Sequence, residues 1–294
     1  MMNIKETVRT VIIGGDARQL HVARNLEMKG ISTATIFTEA ATQATLDEAL
    51  KGANAVVLPL PSSNDGVRLN APYPLRLTEL AEHASAVSPS PIILGGKLPP
   101  AFKEYAREKG LRVIDYYENE SLQVKNALPT AEGAVMLAMQ ELDITVSSCR
   151  AAVIGYGRIA KALCRLLQAM GAEVTVAARK QSDLAYAEVN RYNTLRITHS
   201  DGKSSLSALC KGYDVIFNTV PYWIFDKPLI QSLSQDTKLI ELASAPGGFD
   251  LGAIKECGTT VIRGTALPGK YAPATAGRII SETVIEILQS EGIL

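Results

Sequence analysis

The residues Gly155-Tyr156-Gly157-Arg158-Ile159-Ala160 constrain this chain more than any other segment. Two glycines and a small residue at this spacing mean little alone, because such turns arise by chance. The flanks change that. Ala151-Ala152-Val153-Ile154 reads as a buried strand, Ile159 to Met170 as a helical run, Gly171 as its stop, and Glu173 to Ala178 as a second strand. Strand, glycine turn, helix and strand together form the arrangement that holds a dinucleotide pyrophosphate. Gly155 permits the tight turn, Gly157 lets backbone approach the phosphates, and Ala160 allows close helix–strand packing. The helix start, with Arg158 and Ile159, offers unpaired N–H groups and the positive end of a dipole. An ordinary glycine-rich turn is the plainer alternative, and the complete context favours a cofactor site.

The end of the second strand selects the dinucleotide. Sites for NAD place Asp or Glu there, accepting from the ribose 2′-hydroxyl. Here Ala177-Ala178-Arg179-Lys180-Gln181-Ser182 shows no carboxylate before Asp183. The Arg179 guanidinium fork suits a 2′-phosphate, with Lys180 adding charge and Ser182 a hydroxyl. The reading adopted is NADP, against a merely solvated basic loop. Ligands of parallel sheets bind at the carboxyl ends of strands. Two later strand ends therefore become candidates for holding the nicotinamide: Asn218-Thr219-Val220-Pro221, and Ala243-Ser244 within Ala243-Ser244-Ala245-Pro246-Gly247-Gly248.

Around this core, apolar Val/Ile/Leu-rich segments alternate with helical ones, which argues for parallel sheets covered by helices. Strands are expected at 8–14, 31–37, 55–60, 92–94 and 111–114, then at 151–154, 173–178, 215–218, 239–242 and 260–262. Gly30 and Gly110 stand where helices 18–29 and 101–109 would end in a left-handed residue. Pro129-Thr130 reads as the opening of a connector helix to Glu141, followed by a short polar stretch at 143–148. Pro273 suits the first position of a last helix to about Gln289. The expected fold is α/β: two Rossmann-like domains with parallel sheets, joined by a long helix, with the C-terminal helix packing back on the N-terminal domain. Its divisions are 1–128 for the substrate side, 129–148 for the connector, 149–272 for the NADP domain and 273–294 for the returning helix.

Charge removes other classes. Lys plus Arg number 30 and Asp plus Glu number 30, so no net charge draws the chain to nucleic acid or an anionic membrane. No apolar run nears the roughly 20 residues that span a bilayer, and residues 1–10 lack the apolar core of a secretory signal. The setting expected is the cytoplasm. Cys149, Cys164, Cys210 and Cys257, like His21, His83 and His199, are too scattered for a metal site or disulfide framework. Four buried, inert thiols and no metal are the expectation.

Four segments carry a more specific signal: Gly14-Gly15-Asp16-Ala17-Arg18-Gln19, Asn126-Ala127-Leu128-Pro129-Thr130-Ala131-Glu132-Gly133, the 243–248 segment, and Leu267-Pro268-Gly269-Lys270-Tyr271-Ala272-Pro273-Ala274-Thr275-Ala276-Gly277. In this order, over essentially the whole chain, they resemble the dipicolinate synthase A subunits. The resemblance implies an enzyme of the mother cell of sporulating bacteria, on a branch of the lysine pathway. Such an enzyme uses NADP to dehydrogenate dihydrodipicolinate, or its hydrated precursor, to pyridine-2,6-dicarboxylate. It also implies a partner, the flavoprotein-like B subunit; a homo-oligomer is compatible with the same reading.

A dicarboxylate calls for cations, hydroxyls and backbone donors. Arg18 after the first strand, Ser62 and Ser63 after the third, Asn126 and Thr130 at the connector, and Lys270 before the last helix are the candidates. Each has a plainer role as a surface, turn or capping residue. Glu118, Glu120 and Glu132 are eligible as proton acceptors, and the catalytic base stays unassigned. Two alternatives stand beside this reading. One is another NADP-dependent two-domain dehydrogenase of the shikimate or amino-acid type, for which Lys97 and Asp115 would be the pair to examine. The other is a non-catalytic NADP-binding regulatory subunit.

Overall fold

The computed structural model describes residues 8–36, 46–200, 203–209 and 212–294. Packing divides the chain into two units, Met1–Asn126 with Pro268–Leu294, and Ala127–Leu267.

In the first unit, β1 (Arg9–Ile13), α1 (Ala17–Glu27), β2 (Ser32–Ile36), α2 (Leu46–Leu50), β3 (Ala55–Val57), α3 (Leu77–Ala86), β4 (Ile92–Gly95), α4 (Pro100–Glu108) and β5 (Val113–Asp115) alternate along the chain. The five strands are all parallel, in the order β2-β1-β3-β4-β5. Their central members are buried on both faces, as their near-continuous apolar sequences require. Strand order reverses between β1 and β3, which marks that carboxyl edge as the ligand crevice of the unit.

The long helix α5 (Glu120–Glu141) leads out of this unit. It begins at Glu120, not at Pro129, which lies inside it. A proline there forfeits one backbone hydrogen bond, yet Leu122 is anchored in the first unit's core, and Ala131, Ala134, Val135 and Ala138 in the second's. That packing on both sides outweighs the loss. The expected boundary at 128/129 accordingly falls within a helix. The stretch at 143–148 is also less polar in practice: its turn at Val146–Ser148 buries Val146 in the second core.

The second unit comprises β6 (Arg150–Ile154), α6 (Arg158–Ala169), β7 (Glu173–Ala178), α7 (Gln181–Val189), β8 (Asn193–Arg196), a small hairpin of β9 (His199–Ser200) and β10 (Lys203–Ser204), β11 (Val215–Asn218), α8 (Lys227–Ser232), β12 (Lys238–Glu241), α9 (Leu251–Cys257) and β13 (Val261–Arg263). Its sheet runs β13-β12-β11-β6-β7-β8, again all parallel. Counted from β6, this is the doubly wound order of dinucleotide-binding domains, with its reversal between β6 and β11.

The chain then returns to the first unit through α10 (Leu267–Tyr271) and α11 (Pro273–Ser290). Ile279, Ile280, Val284 and Leu288 of α11 share a core with Ile12, Val22 and Leu26. The contact with α1 is close because Gly277 has no side chain. A Cβ there would stand 2.6 Å from the Arg18 carbonyl oxygen and 2.6 Å from the His21 Cβ. The C-terminal helix thus packs on the N-terminal domain.

Among the described residues, no helix is long and apolar enough to cross a membrane, and no group of His, Cys, Asp or Glu is placed to hold a metal ion. Cys149 and Cys164 are buried, and burial pushes the Cys164 thiol up to about 12. Cys257 is only half-buried, contrary to expectation, because it ends α9 at the domain surface. Cys210 lies outside the described residues.

Candidate cofactor and substrate sites

The glycine turn of the second unit is built as its sequence demands. Gly155 has φ +92°, and its N–H donates to the Ala177 carbonyl at 2.8 Å. A Cβ on Gly155 would lie 2.6 Å from Thr219 Oγ1 and 2.8 Å from a Val220 methyl, so β6 and the loop after β11 meet only across a glycine. Gly157 caps α6 in extended backbone with no side-chain hydrogen bond, and a Cβ placed on it would meet nothing within 4 Å. The turn therefore presents free space and uncapped helix N–H groups at the sheet's reversal point, a fit for a pyrophosphate. The Tyr156 ring is buried edge-on against Tyr192. Ile159 is half-buried and Ala160 fully buried, while Arg158 is exposed.

At the end of β7, Ala178 is buried, whereas Arg179, Lys180 and Ser182 are exposed. Lys180 caps α7, which sets Ser182 in its first turn. The basic residues thus stand at the surface at this strand end.

The two nicotinamide-side segments behave differently from expectation. Asn218 is fully buried, and its side chain is engaged with protein: Nδ2 donates to the Val220 carbonyl at 2.9 Å and to Glu241 Oε1 at 2.8 Å. The Thr219 hydroxyl donates to the Ile154 carbonyl at 2.7 Å. These groups shape the crevice wall and do not face into it. Glu241, on which no sequence motif falls, is the keystone. Buried at the end of β12, it accepts from Asn218, from the Ala243 N–H at 2.9 Å and from the Gly248 N–H at 2.6 Å. One carboxylate so fixes both loops. Pro221 and Ser244 are exposed beyond this brace, with Ala243 half-buried. A separate cavity of about 660 Å3, lined by Lys238, Cys257 and Thr260, opens at the opposite, amino edge of the sheet and is remote from this chemistry.

In the first unit, Arg18 sits in the first turn of α1 and is 6% exposed. Its guanidinium forks onto Asp16, with Nε and Nη2 each 2.8 Å from a carboxylate oxygen. Burial raises the Asp16 pKa, but the Arg18 hydrogen bonds and charge outweigh it and leave the carboxyl below its ordinary value. Arg18 is thereby a structural partner, packed against Gly269. The Ser62 hydroxyl, fully buried, donates to the Lys97 carbonyl, and Ser63 closes a local turn by bonding Asp65 and the Gly66 N–H. Thr130 is buried in the interior of α5 and not at its start; Asn126 is half-buried in the same helix, and Glu118, Glu120 and Glu132 are exposed. Lys270 is exposed in the last turn of α10, a short helix just before α11. Asp115 spends its carboxylate on the N–H groups of Lys97, Leu98 and Tyr117 and on Lys103 at 3.5 Å. A carboxylate so occupied is a brace, which counts against a catalytic Lys97/Asp115 pair of the shikimate type.

Comparison with known proteins agrees with this architecture. Residues 9–117 match the family described as the N-terminal domain of the dipicolinate synthase A subunit. The whole chain is 27% identical to the dipicolinate synthase A subunit of Bacillus subtilis, covering 96% of each. The crystal structure of the dipicolinate synthase A subunit from Bacillus halodurans superposes with a TM-score of 0.82 at 27% identity, over 96% of this chain and 97% of that one. Over nearly its whole length the chain is thus similar to dipicolinate synthase A subunits. Residues 151–238 match the saccharopine dehydrogenase NADP binding domain, which is the cofactor class expected from Arg179. A D-lactate dehydrogenase from Treponema pallidum shares the fold at a TM-score of 0.60 and 13% identity, covering 96% of this chain and 97% of that one.

Proposed function

We propose that the chain is an NADP-dependent oxidoreductase that dehydrogenates a cyclic imine dicarboxylate, dihydrodipicolinate or its hydrated precursor, to pyridine-2,6-dicarboxylate. The observation that carries this reading is the likeness of the whole chain, both units in order, to dipicolinate synthase A subunits. The open glycine turn and the exposed Arg179 support NADP as the oxidant.

Bound NADP+ would accept a hydride from a ring carbon. The chain's own contribution is binding and positioning, because aromatisation supplies much of the driving force. Backbone N–H groups at the start of α6 face the pyrophosphate, Arg179 with Lys180 and Ser182 meets the 2′-phosphate, and Pro221, Ala243 and Ser244 line the nicotinamide end. Lys270 is retained as a cation for a substrate carboxylate. The second proton leaves to solvent or to a base, and a hydroxylated substrate also loses water. Since the relatives are named as A subunits, a B subunit is the proposed partner, and sporulation in the mother cell the proposed setting.

The reading is tested by giving the purified chain NADP+ and freshly made precursor while following the pyridine dicarboxylate and NADPH absorbances together. A joint rise is expected. If neither signal appears, with or without a B subunit, the reading falls. Replacing Arg179 by alanine should weaken NADP by about tenfold or more, on the scale of one charge-assisted contact, and leave NAD nearly untouched. Equal loss for both cofactors in parallel titrations would remove Arg179 from the 2′-phosphate site.

A further inference from the structure

Lys97 has a backbone that the fold has to force. Its φ of +52° lies in the left-handed region, which costs a side-chain-bearing residue roughly 1–2 kcal/mol. Of the other two such residues among the described ones, Arg191 follows the end of α7, where a left-handed residue is ordinary; Ala266 lies between β13 and α10. Lys97 ends no helix. It follows β4 and Gly95-Gly96 at the carboxyl edge of the first sheet, one strand from the β1/β3 reversal.

Three hydrogen bonds hold it there. Its N–H donates to Asp115 Oδ1 at 2.9 Å, the Leu98 N–H donates to Oδ2 at 2.8 Å, and its carbonyl accepts from the buried Ser62 hydroxyl at 3.3 Å. The side chain presents its surface to solvent, with its ammonium 4.9 Å from the centre of the Tyr117 ring. Protein nonetheless crowds that ammonium: desolvation lowers its pKa, against the opposing pull of Asp115. Strain that the surroundings over-determine, at the edge where parallel sheets bind ligands, is the mark of a side chain being aimed.

We propose that Lys97 is a cation through which the first unit engages a carboxylate of the substrate, beside Lys270, an assignment that rests on the dicarboxylate reading above. The test uses Lys97→Gly, because glycine relieves the backbone strain while deleting the ammonium. Pyridine-2,6-dicarboxylate is titrated calorimetrically into the full chain with NADP+ present, and melting temperatures are recorded alongside. Lys97→Gly should bind the dicarboxylate about tenfold to a hundredfold more weakly, the scale of one lost charge-assisted hydrogen bond. Its melting temperature should hold or rise, NADP affinity should not change, and Lys97→Arg should recover most of the dicarboxylate binding. Wild-type affinity in Lys97→Gly overturns the assignment alone. Weakened binding together with a lowered melting temperature also overturns it, since the residue would then be bracing the fold. A wild-type chain that fails to bind the dicarboxylate at all overturns the dicarboxylate reading, and the assignment with it.

Discussion

Valine in place of Gly157 will weaken NADP binding by about a hundredfold or more while leaving the fold almost undisturbed. The backbone at this position is extended, and a Cβ meets nothing within 4 Å, so the substitution adds no clash of its own. A change of this kind away from packed groups costs within about 0.5 kcal/mol, or roughly 1–2 °C for a chain of this size. The added branches instead occupy the space through which a pyrophosphate reaches the N–H groups of α6. Fluorescence titration with NADPH, paired with thermal unfolding, separates the two effects. Undiminished affinity in a folded Gly157→Val protein would show that the turn holds no dinucleotide. The neighbouring glycine gives the contrast. Gly155→Ala places a methyl 2.6 Å from Thr219 Oγ1 in left-handed backbone, so there the fold itself is expected to suffer.

Glu241→Ala should destabilise the second unit by roughly 3 kcal/mol or more, since it takes an acceptor from three donors at about 1–3 kcal/mol each. The Ala243 and Gly248 N–H groups lose this acceptor, and the Asn218 amide keeps only the Val220 carbonyl. With them go the fixed positions of the loops after β11 and β12, so NADP affinity should fall as well, although Glu241 is buried away from solvent. Denaturant unfolding of wild type and variant measures the first effect. A difference below about 0.5 kcal/mol, the range of ordinary surface changes, would mean that the carboxylate braces nothing.

What was legible in the chain follows from its physics. Buried parallel strands are apolar throughout, so β6, β7, β11 and β12 announce themselves, and the glycine turn is legible because backbone conformation dictates glycine directly. The strand β8 went unread because Asn193-Thr194-Leu195-Arg196 lies at a sheet edge and carries no apolar run. Pro129 suggested a helix start because proline favours first turns, and only the packing of α5 in two cores reveals otherwise. Side-chain roles were least legible. Arg18, Asn218, Thr219 and Ser62 have the chemistry of ligand contacts, but each finds its partner within the protein, a choice made by atoms distant in sequence. Glu241 did leave a trace: a carboxylate closing the apolar run Leu239-Ile240 needs buried donors to meet it.

The return of α11 to the first unit bears on how the protein is made. The surface of α1 around Val22 and Leu26 is covered by a helix that leaves the ribosome only after the whole second unit has been synthesised. At 5–20 residues per second that interval is on the order of ten seconds. For its duration the nascent first unit carries an open apolar face, while the second unit, contiguous in sequence, is free to close. The newborn chain should therefore be most exposed to chaperones, and most prone to stick to its neighbours, at its own N-terminal end.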